Sequence, residues 1–143
     1  MGRKQAREGT MKLIYQMEIN DDFSDEALSS FLENFSFDQA EKEYITDAYV
    51  KIKDNLKTID TYIENTLDGW KINRLAKVDL AILRVALYEI LYRDDIPIEV
   101  SINEAIEIAK KYSNEDSYRF INGVLGSIVR SLDKDNNGGN NAT

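Results

Sequence analysis

The sequence predicts an all-α protein, and three observations support this prediction. The 143 residues include one proline and seven glycines, so residues that interrupt helices are few. Apolar residues recur three and four positions apart over most of the chain, which is the spacing of one face of an α-helix. No segment alternates apolar and polar residues between turn signals, as a half-buried β-strand would. We expect six helices within one domain that covers residues 1–132.

The N-terminal half of the chain predicts three helices, of which the third is long. The first covers residues 3–19, and the second follows Ser24, whose hydroxyl suits an N-cap because two acidic residues come next. The third begins near Asp38 and ends at the DGWK loop, where Gly69 suits a helix terminus. Its apolar residues form one continuous stripe, made up of Ile45, Tyr49, Ile52, Leu56, Ile59, Ile63 and Leu67.

The fourth helix, residues 75–93, is apolar on nearly every side. Such a helix is typical of the middle of a bundle, where other helices surround it. Pro97 then interrupts the chain. The fifth helix lies in residues 101–112, and its start falls at Ser101 or a few residues earlier. Ser101 and Glu104 have the spacing of a capping box.

The sixth helix is predicted from about Glu115 to Leu132, with Ser113 or Asn114 as its cap. Its buried stripe consists of Ile121, Val124, Leu125, Ile128 and Leu132. Residues 133–143 are polar, with many asparagines and glycines, and they offer almost nothing to bury. We expect them to be disordered.

The composition excludes several classes of function. Cysteine and histidine are absent, which excludes disulfides, metal sites made of thiolates or imidazoles, and nucleophilic catalysis by either residue. We expect no cofactor. The sequence has no run of about 18 apolar residues and no apolar N-terminal stretch typical of a signal peptide. We therefore expect a cytoplasmic protein that does not enter a membrane.

Positive charge is concentrated at the N-terminus of an acidic chain. The formal net charge is −8, yet four cations fall within the first twelve residues, and the acid among them is Glu8. These cations are Arg3, Lys4, Arg7 and Lys12. Cations at a helix N-terminus oppose the helix dipole at a cost of about 0.3–1 kcal/mol each, which suggests a functional reason for them. An acidic surface disfavours binding nucleic acid over the whole molecule, so any such contact must be local.

A helical wheel separates the first helix into two sides. The side expected to face the core contains Ala6, Thr10, Leu13 and Met17. The opposite side contains Lys4, Arg7, Met11 and Tyr15, with Arg3 at its margin. Cations neutralise phosphates and an aromatic ring stacks on an unpaired base, so this side is a candidate contact for RNA or DNA. The alternative is a solvated helix surface without a ligand.

Four ordered segments of the later helices closely resemble the NusB family of transcription antitermination factors. They are LRVALYE, DIP, INEAIEIAK and EDSYRFINGVL, all within residues 78–130. The N-terminal segment also fits, so the resemblance covers about residues 3–130. It implies an all-helical fold of about six or seven helices packed as two bundles.

The resemblance also implies RNA binding rather than catalysis. Family members pair with the small-subunit ribosomal protein that acts as NusE, bind the single-stranded boxA element of nascent ribosomal RNA, and help the RNA polymerase antitermination complex to read through terminators. The alternative is a helical adaptor that contacts only proteins. The same fold occurs as a domain of ribosomal RNA methyltransferases, but this chain lacks a nucleotide-binding βαβ segment after residue 130. Whether the chain forms a homodimer is left open.

Seven residues match family positions that meet RNA, namely Arg3, Lys4, Arg7, Tyr15, Asp116, Arg119 and Phe120. The three N-terminal cations are expected to neutralise phosphates, and Tyr15 to contact a base or sugar. Two of the seven have structural alternatives. Phe120 could be an aromatic residue at the edge of the core, and Asp116 could stabilise the first turn of its helix.

Asp79 matches an acidic family position that faces the ribosomal-protein partner. The alternative is an internal ion pair with a nearby base, because an unpaired buried acid is costly. Arg84 and Glu89 on the same helix are interpreted as structural ion-pair or hydrogen-bond residues. Gly123 and Gly126 weaken their helix, which suggests close approach of a neighbouring helix.

Three residues depart from the family pattern at the N-terminus. Gln5 interrupts the basic segment, and Gly9 and Thr10 are weak helix formers. We therefore expect this chain alone to bind boxA weakly, with most of the affinity arising together with its partner.

Overall fold

A computed structural model of the chain confirms the all-α prediction. It describes residues 2–141, with side chains described for residues 2–133. The helices are α1 (Arg3–Asn20), α2 (Asp25–Asn34), α3 (Gln39–Asp54), α4 (Leu56–Glu64), α5 (Lys77–Tyr92), α6 (Ile98–Tyr112) and α7 (Glu115–Asn141). One turn of 3₁₀-helix, Ile72–Arg74, precedes α5. No strand occurs within residues 2–141.

Helix α5 lies at the centre of the fold, as its apolar composition predicts. Every residue from Asp79 to Glu89 is buried. Helices α1, α3, α4, α6 and α7 all pack against α5. Since α1–α3 contact one another and α4–α7 contact one another, α5 carries the main contact between the two bundles. Among the described helices, none is both long and apolar enough to cross a lipid bilayer.

The prediction of one long helix between Asp38 and Leu67 is wrong, because the chain breaks at Asn55. This residue has φ −121° and ψ 22°, outside the helical range, and it separates α3 from α4. Its side-chain amide donates to the carbonyl of Lys51 at 2.8 Å, a local bond that competes with the helical ladder. The apolar stripe remains buried on both sides of the break, at Ile52 and Ile59. The stripe therefore predicts burial correctly and does not reveal the break.

The predicted N-cap of α2 and the predicted start of α3 near Asp38 are confirmed. The hydroxyl of Ser24 accepts a hydrogen bond from the Ala27 N–H at 3.1 Å. Asp38 forms a full capping box with Glu41: its carboxylate accepts from the Glu41 N–H at 2.8 Å, and the Glu41 carboxylate accepts from the Asp38 N–H at 2.9 Å. Gly69 adopts φ +88° in the loop after α4, a conformation that favours glycine.

Of the two starts allowed for the fifth predicted helix, the earlier one is confirmed, and the capping box at Ser101 is not formed. Helix α6 begins at Ile98, directly after Pro97, so Ser101 lies inside its first turns. The Ser101 hydroxyl is buried and donates to the Glu89 carboxylate at 2.7 Å. Ser101 and Glu104 have the spacing of a capping box, but the Ser101 hydroxyl makes a hydrogen bond between α6 and α5 instead.

Helix α7 begins with Asn114 as its cap, one of the two predicted residues. The Asn114 side-chain oxygen accepts from the Ser117 N–H at 2.9 Å. The predicted stripe of Ile121, Val124, Leu125 and Ile128 is buried, and Leu132 is half-buried. The helical backbone runs to Asn141. Side chains beyond residue 133 lie outside the described part, so disorder of residues 133–143 stays a prediction.

The glycines of α1 and α7 differ from expectation. Gly9 is buried under the ring of Phe37, and a Cβ atom there would lie 2.8 Å from that ring. Gly9 therefore permits close packing on α1. Gly123 has open space around its Cα, and a Cβ atom at Gly126 would meet only Arg130 of the same helix. Close approach of another helix therefore does not explain Gly123 or Gly126, and that prediction is wrong.

Replacing Gly123 with alanine should stabilise the protein. The added methyl group meets nothing within 4 Å, while the helix gains about 0.5–1 kcal/mol from the better propensity of alanine. Urea denaturation followed by circular dichroism measures the change. Gly69→Ala is the matched control and should destabilise, because Gly69 has φ +88°. A Gly123→Ala protein less stable than the parent would contradict this account.

Candidate nucleic-acid interface

The predicted core side of α1 is confirmed, but a second flank of the helix is buried as well. Ala6, Thr10, Leu13 and Met17 are 0–1% exposed. Arg7, Met11 and Ile14 are also buried, because α1 packs against both α3 and α5. Arg7 and Met11 were placed on the outward side of the wheel, and that placement is wrong. We define the outward side of α1 by the residues that remain at least partly exposed there: Lys4, Gln5, Glu8, Lys12 and Tyr15.

Arg7 is held inside the protein by carboxylates. Its Nε donates to Glu89 at 2.6 Å, its Nη2 donates to Glu89 at 3.2 Å, and its Nη1 donates to Glu104 at 3.3 Å. Burial alone would lower the pKa of the Arg7 guanidinium, but the hydrogen bonds and charge of Glu89 outweigh burial and raise that pKa. Arg7 therefore stays charged and fastens α1 to α5 and α6.

Glu89 receives further donors from two other helices. Ser101 of α6 donates to it at 2.7 Å, and the phenol of Tyr44 of α3 donates to it as well. Burial and the neighbouring Glu89 charge raise the pKa of Tyr44, which keeps the phenol protonated and able to donate. The expectation that Glu89 is a structural ion-pair residue is confirmed. Arg84 is confirmed too, since it pairs with Asp60 and Glu18 at 2.7 Å each.

The remaining N-terminal cations are accessible. The guanidinium of Arg3 lies 5.4 Å from the centre of the Tyr44 ring, and Arg3 is exposed. The Lys4 side chain is 60% exposed, and its ammonium lies 3.8 Å from Glu104. The first turn of α1 has no side-chain hydrogen bond at its N-cap, and it contains no acidic residue to offset the positive end of the helix dipole. This end of α1 is therefore electrically positive.

The last turn of α6 docks on the outward side of α1. Glu8 accepts from the Lys111 ammonium at 2.8 Å and from the Tyr112 phenol at 2.7 Å. Burial would raise the pKa of Glu8, but the bonds from Lys111 and Tyr112 outweigh it and lower that pKa. The ammonium of Lys12 lies 5.5 Å from the centre of the Tyr112 ring. Lysines from two helices thus share one aromatic ring.

Sequence reasoning missed three residues of this region, Lys110, Lys111 and Tyr112, and it counted Lys12 among the N-terminal cations without assigning it an RNA contact. The Lys110 ammonium lies 5.3 Å from the ring of Tyr118 in α7. A signal existed in the sequence, because AKKY lies two residues before the segment that resembles RNA-contacting positions. Lysines in the last turn of a helix are also favoured by the helix dipole, so their pattern alone indicates no ligand.

Helix α7 begins three residues after Tyr112 and carries the other predicted RNA residues. Asp116 and Arg119 are exposed, and Arg119 pairs with Glu115 at 2.6 Å on the surface. Asp116 lies in the first turn, but the cap itself is Asn114. Phe120 is half-buried and packs against the core, as expected for an aromatic residue at the core edge, and part of its surface stays exposed. The end of α6 thus joins the outward side of α1 to the start of α7.

Asp79 lies in the first turn of α5 and is 7% exposed. The hydroxyls of Ser113 and Ser117 donate to its carboxylate at 3.4 Å and 3.2 Å. Within residues 2–133, no cation lies at ion-pair distance from Asp79, so the predicted internal pair with a base is wrong. Burial raises the pKa of Asp79 above its usual range, and the two hydroxyls offset part of that rise.

The described side chains contain no group of acids that could hold a metal ion. Every buried side-chain nitrogen and oxygen among them has a hydrogen-bond partner. The surface formed by α1, α6 and α7 therefore offers cations, phenols and a half-buried Phe120, with several of the cations paired to surface acids.

Known proteins match the chain over nearly its whole length. The family model of the NusB family matches residues 4–130, in agreement with the resemblance found in residues 3–130. A transcription antitermination protein NusB of Acetivibrio thermocellus is 50% identical over 130 residues, which are 91% of this chain and 90% of that protein.

Solved structures share the fold. NusB of T. maritima superposes with a TM-score of 0.83 at 40% identity, covering 91% of this chain and 92% of that one. A chain from the crystal structure of antitermination factors NusB and NusE in complex with dsRNA superposes with a TM-score of 0.79 at 24% identity, covering 92% and 99%. At this identity, the second likeness shows the fold alone.

Replacing Arg7 with alanine should lower the free energy of unfolding by about 3 kcal/mol, because it leaves the buried Glu89 without its cation. Lys4→Ala is the matched control on the same helix. It should change stability by less than about 0.5 kcal/mol, because Lys4 is exposed. Urea denaturation of both variants measures the two changes. Equal effects would contradict the division between Arg7 and the outward side of α1.

Replacing Asp79 with asparagine should preserve or raise stability at pH 7. With a raised pKa, the folded protein holds the Asp79 proton more tightly than the unfolded chain does. The contribution of Asp79 to the free energy of unfolding is therefore fully present below about pH 4, and it is lost as the pH rises through the raised pKa. Asparagine removes that loss, so the fall in stability with rising pH should become smaller.

Urea denaturation at several pH values between about 4 and 7 measures this effect for Asp79→Asn. Asp60→Asn is the control and should destabilise, because Asp60 holds the buried Arg84 through two hydrogen bonds of 2.9 and 2.7 Å. If Asp79→Asn destabilised the protein as much as Asp60→Asn, an ion pair at Asp79 would be indicated instead.

Proposed function

This chain belongs to the NusB family of transcription antitermination proteins, and we propose that it acts by binding single-stranded RNA through α1, α6 and α7. The proposed ligand is the boxA element of nascent ribosomal RNA. The proposed protein partner is the small-subunit ribosomal protein that acts as NusE, within the RNA polymerase antitermination complex. The proposal places the chain in the cytoplasm and gives it no catalytic role.

One observation carries the proposal: accessible cations and aromatic rings lie together on an otherwise acidic protein. The ammonium groups of Lys12 and Lys111 lie 5.5 Å and 5.4 Å from the centre of the Tyr112 ring, while the whole chain has a charge of −8. Acidic surface elsewhere repels a polyanion, so this region determines where RNA can approach.

The ion pairs at this surface are of the kind that a phosphate can replace. The Lys111 side chain is 61% exposed in its contact with Glu8, and the Lys4 contact with Glu104 is longer, at 3.8 Å. Exposed ion pairs contribute about 0–1 kcal/mol each, so exchanging a carboxylate for a phosphate costs little. We propose Arg3, Lys4, Lys12 and Lys111 as phosphate contacts.

Aromatic residues supply the base contacts in this proposal. Tyr15 is half-buried on the outward side of α1, and Phe120 is half-buried on α7. A ring fixed on one face by the core presents its other face to a base without losing further freedom. Arg119 and Asp116, both exposed, are proposed to contact the same strand.

Arg7 has a different proposed role. Its guanidinium is occupied by Glu89 and Glu104, so we propose that it positions α1 rather than touching RNA. Asp79 remains the proposed partner contact. With 7% of its surface exposed and two serine hydroxyls on its carboxylate, it would meet a partner at the junction of α5 and α7.

Binding to a boxA oligonucleotide should depend on salt. With three or four phosphate contacts, the slope of log K against log salt should be about −2 to −3. Lys12→Ala should weaken binding and reduce the slope by about 0.7, because it removes one contact. Fluorescence anisotropy with labelled RNA, with and without the NusE protein, measures both quantities.

Two comparisons make this measurement specific. Lys57→Ala removes an exposed lysine of α4 and should leave the slope unchanged. A scrambled oligonucleotide should bind more weakly than boxA. A flat salt response, or equal binding to the scrambled RNA, would contradict the proposal. Full activity after charge reversal at Arg3 and Lys4 would favour an adaptor that contacts only proteins.

A further inference from the structure

An open groove of about 680 Å³ lies beside the contact between α1 and α6. The segment from the end of α2 to the start of α3 forms one wall, with Phe31, Phe35 and Phe37, which we call the aromatic wall. The groove is also lined by Lys12 and Lys111 of the proposed RNA interface, together with Tyr112. The groove is therefore continuous with the surface proposed to bind RNA.

The three phenylalanines of the aromatic wall form one contiguous group of rings. Ring centres lie 4.7 Å apart for Phe31 and Phe35, 5.9 Å for Phe31 and Phe37, and 6.2 Å for Phe35 and Phe37. Phe31 is buried at 3% exposure, whereas Phe35 is 43% exposed. A buried ring thus supports an exposed ring, which keeps Phe35 in place and turns apolar surface toward the groove.

Gly9 shapes the floor of the groove. It is the α1 residue under the Phe37 ring, and a Cβ atom there would lie 2.8 Å from that ring. Its missing side chain lets Phe37 lie against the α1 backbone instead of filling the groove.

The acids that line the groove are already engaged. Glu8 accepts from Lys111 and Tyr112, and the carboxylates of Asp38 and Glu41 accept from each other's backbone N–H groups. The Lys12 ammonium is directed at the Tyr112 ring, 5.5 Å from its centre. What remains for a ligand is an exposed aromatic surface and the positive charge of Lys12 in the same groove, since Lys111 is paired with Glu8. That combination suits a nucleotide, whose base stacks and whose phosphate is anionic.

We propose that this groove takes one unpaired nucleobase of the bound RNA strand, stacked on Phe35, with its phosphate at Lys12. This inference rests on the proposed function, because it extends the same RNA strand beyond Tyr15 and Phe120. An apolar protein side chain would use the aromatic wall but would leave the positive charge of Lys12 unused, whereas a nucleotide uses both.

The test uses a boxA RNA with four additional nucleotides on each side, and derivatives in which one base at a time is replaced by an abasic site. Phe35→Leu should weaken binding of the intact RNA about tenfold, because stacking on the flat ring is lost. Phe35→Tyr should bind normally. One abasic RNA should lose a similar factor with the parent protein, and Phe35→Leu should cause no further loss with that RNA.

Val50→Ala is the control, since it shortens an exposed apolar residue of α3 outside the groove and should leave binding unchanged. Thermal melts establish that each variant is folded. If Phe35→Leu does not fold, photocrosslinking of the parent protein to RNA that carries 4-thiouridine decides the question. A crosslink in the peptide with Phe35 or Phe37 supports the proposal, and its absence overturns it.

The outcomes separate this inference from the proposed function. If the parent protein binds no boxA RNA, both fail. If it binds with the expected salt slope and Phe35→Leu binds equally well, the groove proposal alone is overturned. If Phe35→Leu keeps RNA affinity but loses affinity for the NusE protein, the groove takes a protein side chain and the nucleobase proposal is overturned.

Discussion

The carboxylate of Glu89 determines which side of α1 reaches solvent. It is 1% exposed and accepts hydrogen bonds from Arg7 of α1, Tyr44 of α3 and Ser101 of α6. An ionised carboxylate at this depth is stable only when donors surround it. The donors therefore fix three helices around α5, and rotation of α1 would break the contact with Arg7. Because that contact holds the helix in one orientation, Lys4, Lys12 and Tyr15 lie outward.

Most of the fold could be predicted because the buried face of a helix requires apolar residues three and four positions apart in the sequence. Helix α5 is apolar on nearly every side, and this identifies it as the central helix before any contact is known. Capping residues such as Ser24 and Asp38 locate helix starts because their side chains replace missing helical bonds. The break at Asn55 leaves no such trace. Ile52 and Ile59 are buried on either side of it, so the stripe continues while the helix does not.

The candidate site was less predictable, because a helical wheel assumes one buried side. Helix α1 packs against both α3 and α5, and this second covered flank takes Arg7 and Met11 inward. An apolar Met11 next to Arg7 on the wheel was the available signal. Lys111 and Tyr112 were missed for another reason. They are separated from Glu8 by 103 and 104 positions, and only the packing of α6 against α1 brings them together.

Two ion pairs of a cation with a glutamate have different purposes in this protein, and the burial of each pair decides its purpose. Arg7 and Glu89 are 8% and 1% exposed at their side chains, whereas Lys111 is 61% exposed beside Glu8. Breaking the pair of Arg7 with Glu89 leaves a buried charge without a partner or solvent, at a cost of about 3–5 kcal/mol. A ligand therefore does not compete for Arg7. Breaking the second returns both groups to water at little cost. A phosphate can thus displace Glu8 from Lys111 while α1 stays fixed by Arg7. The N-terminal cations therefore divide into one that holds the helix and others that are free to exchange partners, and the RNA binding proposed for this surface requires both kinds.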